Sequence, residues 1–368
     1  MDAAEIESLS IQDKIGQLFF IGIPGDTVDE NTEKLISDIR PGGVCLFTRN
    51  IREHRQTRDL LDSLRRVSKI EPFLSLDQEG GLVDRLRRVL VPMPAPSKVR
   101  TLADTAKLAE IIAETVRILG FNMNFAPVVD VVDQRRSGLS NGLHSRAFGT
   151  SPLEVVDLAG EFLRVMQANG CVGCIKHFPG LGASDVDSHE ELPSVAISAG
   201  ELESIDLVPY RRLIQTKEAH VVMVAHAVYP KHHLQEADQN GKLLPSSLSS
   251  NIVTTLLRHE LNFDGLVLTD DLEMGAIVKN YGIGEASVMA ILAGEDMVSI
   301  CAGVGSIYEG YNAVLQAAES GRISEERIDR SLKRIAAAKS RLHKPLSFDP
   351  DRLTALSKEI KELNDGLG

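Results

Sequence analysis

The sequence predicts an α/β protein: a single-domain (β/α)8 barrel of the TIM type, with one extra helix at its C-terminal end. Three observations carry this expectation. Eight short apolar, β-rich runs alternate with longer helical patterns along 368 residues. The runs are apolar throughout rather than alternating, so both faces are buried, as in a parallel sheet. Polar residues gather at the C-terminal ends of the runs, which converge on one mouth in a closed barrel. No Pro/Ser-rich linker, composition break or short-period repeat interrupts the chain. Residues 1–368 are therefore expected to form one domain, with 346–368 as a peripheral C-terminal helix.

The elements follow in order. Ser10 can cap a short helix that leads into the first run, 18–22. Helical spacing over 31–39 separates it from the second, 43–47. A helix over 51–68 precedes the third run, 72–77, and one over 103–119 precedes the fourth, 122–129. The helix over 152–169 leads into the fifth, 171–175. Helices over 199–216, 248–260 and 284–293 lead into the runs 219–226, 266–270 and 296–300. Helices over 305–319 and 324–342 follow, and Leu353, Leu356, Ile360 and Leu363 mark one apolar face of a last helix.

Composition narrows the function classes. Hydrophobic residues make up 43% and charged residues 25%, ordinary values for a globular protein. The net charge of -12 argues against nucleic acid or an anionic membrane as partner. No run is long enough to span a bilayer. The N-terminus, MDAAEIESLS, lacks a basic n-region and an apolar h-region, so the expected compartment is the cytoplasm. The four cysteines, Cys45, Cys171, Cys174 and Cys301, are too few for a disulfide scaffold, and Cys171 and Cys174 are expected to pack in the core. Without a second C-x-x-C or an HExxH, no metal site is expected, and no cofactor is implied.

The chemistry centres on KHFPGLGASDVDSH, residues 176–189, which follows the fifth run. The next helical pattern starts near Ala199, so the connection spans about 20 residues where βα loops typically run about 2–6. Gly180 and Gly182 can act as hinges. Asp187 and His189 stand at i and i+2, on one side of an extended segment, and can form a carboxylate–imidazole pair. The same stretch also reads as a solvated acidic loop.

Asp77, Asp130, Lys176, His177, His226, and Asp270 with Asp271 end five different runs. Any one alone could serve a loop hydrogen bond; together they point to a ligand site. Arg85 and Arg146 lie on loops from the same mouth, placed for hydroxyl or carboxylate recognition or for surface ion pairs. In the seventh run Leu266, Leu268 and Asp270 share one face, so alternation predicts that only one of the two adjacent aspartates faces the mouth. A carboxylate fixed at a strand end, opposite a mobile acid/base group, suits double displacement at an anomeric carbon.

These motifs resemble the single-domain bacterial β-N-acetylglucosaminidases of glycoside hydrolase family 3. The family's loop reads K-H-F-P-G-H-G, then four residues, then D-S-H, and 176–189 matches it apart from one histidine. LDQEGGLVDR (76–85), MNFAPVVDV (123–131), SRAFG (145–149), MVAHAVYP (223–230) and LTDDLEM (268–274) match as well. The resemblance runs from about residue 10 to about residue 342. It implies a retaining β-N-acetylhexosaminidase acting on a carbohydrate with terminal β-linked N-acetylglucosamine, such as muropeptide fragments in peptidoglycan recycling. It implies Asp270 as nucleophile, His189 as acid/base and Asp187 as its orienter. Asp77, Arg85, Arg146, Lys176 and His177 would bind the sugar, with His226 and Asp130 lining or supporting the site.

This chain departs from the family at Leu181, Ala183 and Leu82, where histidine, an acidic residue and arginine are usual. Two polar anchors of the loop are thereby lost. A phosphorylase or a broad-specificity β-glycosidase on the same barrel remains the near alternative. A Schiff-base aldolase using Lys176, and a barrel that only binds sugar, are the readings from other classes.

Overall fold

The computed structural model of the chain describes residues 5–6, 8–139, 141–185 and 191–367. Nine parallel strand pieces form one sheet. In chain order the barrel strands are β1 (Phe19–Ile21), β2 (Gly43–Cys45), β3 (Phe73–Leu76), then, past a hairpin of β4 (Gln78–Gly80) and β5 (Val83–Asp84), β6 (Met123–Asn124), β7 (Val172–Gly173), β8 (Ile175–Phe178), β9 (Val221–Val224), β10 (Leu266–Asp271) and β11 (Met297–Ile300). The spatial order is β7-β6-β3-β2-β1-β11-β10-β9-β8. The two ends of that list, β7 and β8, are halves of one run parted by Cys174, whose N–H donates to the Ala126 carbonyl. The run pairs with β6 through one half and β9 through the other, which closes a (β/α)8 barrel. The eight expected runs are thus eight barrel positions.

The connecting helices begin where local chemistry stops an extended chain. Ser10, Thr101, Ser151 and Ser324 each accept a backbone N–H with the side chain at a helix start. Leu102–Leu119 ends at Gly120, in the left-handed region at φ 108°. The expected helix 199–216 is one rod whose middle, Leu202–Asp206, winds wider than an α-helix before Leu207–Gln215. The last helix, Pro350–Leu367, buries Leu353, Leu356, Ile360 and Leu363. Arg352 on it forms a two-pronged pair with Glu114 of Leu102–Leu119, both bonds 2.6 Å long. Among the described residues no helix is long and apolar enough to cross a membrane.

Side chains, not solvent, fill the barrel. Phe20 stacks on Phe73 with centroids 5.8 Å apart and meets Phe125 edge-on at 5.2 Å. Gly43 makes this possible, since a Cβ there would lie 2.3 Å from the Phe20 ring. All four cysteines are buried and free. Burial pushes the Cys171 thiol up to about 12, so it is inert as a nucleophile.

Candidate active site

The C-terminal ends of the strands open on a cavity of about 290 Å3 lined by Asp77, Arg85, Arg146, Lys176, His177, Asp270 and Asp271, among others. These seven residues, all singled out in the sequence, therefore meet. The volume sits near the lower end of small-ligand pockets, about 300–1,000 Å3, and suits one sugar ring better than an oligosaccharide.

Lys176 organises one wall. Its Nζ lies 2.7 Å from Asp77 Oδ1 and 2.7 Å from Glu79 Oε1. Glu79 also takes two bonds from Arg146, at 2.8 Å from Nε and 2.9 Å from the guanidinium end. Burial alone would raise both acids, but the charges of Lys176, Arg146 and Arg85 outweigh it. Asp77 is held well below the carboxylate range and Glu79 is held down to about 2. Burial works against Lys176 too, and Asp77 and Glu79 reverse it, so its pKa is raised. Arg85 is the looser cation, 3.4 Å from Asp77 Oδ2.

His177 is held from both sides. Its Nδ1 lies 2.8 Å from Asp130 Oδ2, and its Nε2 lies 3.4 Å from an Arg146 nitrogen. Arginine can only donate and the carboxylate can only accept, so these partners select the tautomer with the proton on Nδ1. The other Asp130 oxygen accepts the Leu181 N–H at 2.7 Å.

Two bulges explain how neighbouring residues reach one cavity. On β8, Lys176 pairs with Met223 and Phe178 with Val224, so His177 is extra. On β10, Leu268 pairs with Met297 and Asp271 with Ser299, again one residue more than the partner strand. A bulge breaks the two-residue alternation and re-aims side chains. The expectation that only one of Asp270 and Asp271 faces the mouth is accordingly corrected, for both line the cavity. Their environments differ. Asp271 Oδ1 accepts N–H groups from Glu273 at 3.1 Å and Cys301 at 3.3 Å, yet burial and the charges of Glu273 and Asp270 push it up to about 7.

His226, expected in the substrate-binding set, sits behind the end of β10. It is fully buried and absent from the described cavity lining. Its Nδ1 lies 2.7 Å from Ser247 Oγ and its Nε2 lies 3.1 Å from the Asp271 carbonyl oxygen, so it braces the end of β10. Asp187 and His189 lie outside the described residues.

The described base of their loop is anchored despite Leu181 and Ala183. Tyr229 donates its hydroxyl to the Gly180 carbonyl at 2.7 Å, and Leu181 is held by Asp130. Gly182 lies so close to the Val131 carbonyl that a Cβ would come within 2.0 Å of its oxygen. Arg136 grips Asp206 with two bonds of 2.7 and 3.0 Å just behind Gly180. Sequence reasoning missed Glu79 as the hub of the cation cluster. The signal was present, because Asp77 and Glu79 have the same i, i+2 spacing as Asp187 and His189. Among the described residues no cluster of three or more His, Cys, Asp or Glu could hold a metal ion.

The family model for the glycosyl hydrolase family 3 N terminal domain matches residues 10–338. A β-hexosaminidase of Pseudomonas aeruginosa is 35% identical over 288 residues, covering 76% of this chain and 81% of the relative. β-Hexosaminidase A of Pseudoalteromonas piscicida is 30% identical over 339 residues, 86% of this chain and 56% of that protein. Among solved structures, a glycoside hydrolase family 3 β-N-acetylglucosaminidase from Paenibacillus sp. superposes with a TM-score of 0.87 at 35% identity, over 97% of this chain and 69% of that one. A β-N-acetylhexosaminidase from Beutenbergia cavernae gives 0.79 at 27% identity, over 90% and 99%.

Proposed function

The chain belongs to glycosyl hydrolase family 3, and from that premise we propose that it is a retaining, exo-acting β-N-acetylglucosaminidase. The observation that carries the proposal is the small cavity at the strand ends, where Asp270 faces a wall of Lys176, Asp77, Arg146 and His177. That wall supplies charged donors and acceptors suited to the hydroxyl and acetamido groups of one terminal sugar. A cavity of this size favours removal of single units from a chain end.

In the proposed reaction, Asp270 attacks the anomeric carbon as His189 gives a proton to the departing glycosidic oxygen. The C–O bond to the aglycone breaks and a glycosyl ester to Asp270 forms. His189 then takes a proton from water, the water oxygen bonds to the anomeric carbon, and Asp270 leaves as carboxylate. Asp187 holds the imidazole and stabilises its cationic form. Lys176, Arg85, Asp77, Arg146 and His177 bind the sugar; His226 supports Asp271 from behind. We place the enzyme in the cytoplasm, acting on muropeptide-like fragments.

The test is turnover of a chromogenic N-acetyl-β-glucosaminide beside the matching glucoside, with and without phosphate. The expected result is a preference for the acetamido sugar and free N-acetylglucosamine as product. No turnover, or faster release from the glucoside, overturns the reading. A sugar 1-phosphate product would make the enzyme a phosphorylase.

A further inference from the structure

One amide from a facing loop ties down the segment that leads to Asp187 and His189. Asn141 Nδ2 lies 2.9 Å from the Ser184 carbonyl oxygen, 3.2 Å from that of Gly182 and 3.4 Å from that of Leu181. Its Oδ1 accepts the Leu143 N–H at 3.0 Å, which fixes which end of the amide donates. The residue is 8% exposed and lines the cavity beside Leu181 and Ser184. Its own loop carries Arg146, five residues further on, which binds Glu79 and meets His177. Two independent ties thus converge on one short stretch: Asn141 from the Arg146 loop, and Asp130, which also holds His177, from the segment that follows β6. This is the stretch in which Leu181 and Ala183 have lost the polar side chains usual there.

We propose that Asn141 is a positioning residue for acid/base catalysis: its amide fixes the base of the 180–191 segment against the Arg146 loop and so sets the point from which the chain carries Asp187 and His189 to the sugar. This rests on the assignment of those two residues as the acid/base pair. A group misplaced by about an ångström can cost about a hundredfold in rate. The loss should therefore fall on the step that needs the acid, not on sugar binding, which the strand ends supply.

The test uses the full chain with Asn141→Asp, Asn141→Ala and His189→Ala. Aspartate keeps the shape and the bond from Leu143 but faces three carbonyl oxygens with no donor. Values of kcat/KM are measured for N-acetylglucosaminides of graded leaving-group ability, with inhibition by N-acetylglucosamine and the melting temperature alongside. Both Asn141 variants are expected to lose about ten- to a hundredfold on poor leaving groups while nitrophenyl glycosides and the inhibition constant stay within about threefold. A uniform loss across leaving groups, or an Asn141→Asp variant that behaves as the parent, overturns the proposal. A flat response in the Asn141 variants with a steep one in His189→Ala sinks the positioning role alone. A flat response in His189→Ala sinks the acid/base assignment itself. Should Asn141→Asp fail to fold, Asn141→Ser keeps one donor and must fall between the parent and Asn141→Ala; a serine variant no better than alanine counts against the proposal.

Discussion

Lys176 and Glu79 meet at 2.7 Å with side chains only 2% and 1% exposed. Neither charge is accessible to water, so each depends on the other and on Asp77 and Arg146 to be tolerable there. The pair joins the end of β8 to the hairpin after β3, and it fixes the wall against which the sugar is expected to lie.

Glu79→Gln keeps the shape and removes the charge that neutralises two cations. Breaking a buried pair by removing one partner typically costs about 3–5 kcal/mol. The loss should appear in chemical denaturation. Its pH dependence has a definite sign. The carboxyl is depressed from 4.5 to about 2, because Arg146 and Lys176 overcome the opposing effect of burial. The stabilisation is therefore complete above about pH 4.5 and is lost as the pH falls toward 2. Parent and variant should differ most near neutrality and converge in acid; a constant gap would remove Glu79 from the hub.

Asp271 should behave in the opposite sense. Its carboxyl is raised from 3.8 to about 7, chiefly by burial. Stability from this group is present below about pH 3.8 and is lost as the pH rises to about 7. Asp271→Asn retains an oxygen for the Glu273 and Cys301 N–H groups and should flatten that slope without abolishing turnover. A variant that folds but is inactive would shift the nucleophile assignment to Asp271.

Arg85 separates binding from folding. It is partly exposed and its contact with Asp77 is long, at 3.4 Å, so its loss leaves the shorter Lys176 contacts in place. Arg85→Ala should weaken inhibition by N-acetylglucosamine about tenfold or more, the value of roughly one charged hydrogen bond. The melting temperature should change little. An unchanged inhibition constant would place the sugar away from this arginine.

The C-terminal helix tests the reach of the barrel. Leu356 is fully buried on the last helix, which packs on Leu102–Leu119. Leu356→Ala should cost about 2–5 kcal/mol of stability and leave kcat/KM for a nitrophenyl glycoside unchanged. A selective loss of activity would tie this helix to the site.

The sequence made the barrel legible because its strands are buried on both faces, and the count and regularity of the apolar runs favour a closed barrel over an open doubly wound sheet. The strand-end residues were legible for the same reason: Asp77, Lys176, His177 and Asp270 stand where an apolar run turns polar. The bulges at His177 and between Leu268 and Asp271 were not, since they arise from the register of the neighbouring strand. Alternation therefore misjudged the two aspartates. His226 sits at a run's end like the others, but it bonds Ser247 and the Asp271 backbone, contacts that no periodicity reveals. Glu79 lies on the short hairpin strand β4 and Asn141 on a loop, where only three-dimensional closure decides which way a side chain points.

The nucleophile assignment is tested most directly by intact-mass and peptide mapping after incubation with a slow 2-fluoro or 5-fluoro glycoside. Asp270 sits at the bulged end of β10, on the cavity, with its Oδ1 taking the Asp271 N–H at 2.8 Å. One glycosyl adduct per chain is expected, on Asp270, absent from Asp270→Ala although that variant still folds. An adduct on Asp271, or turnover surviving in Asp270→Ala, would contradict that assignment.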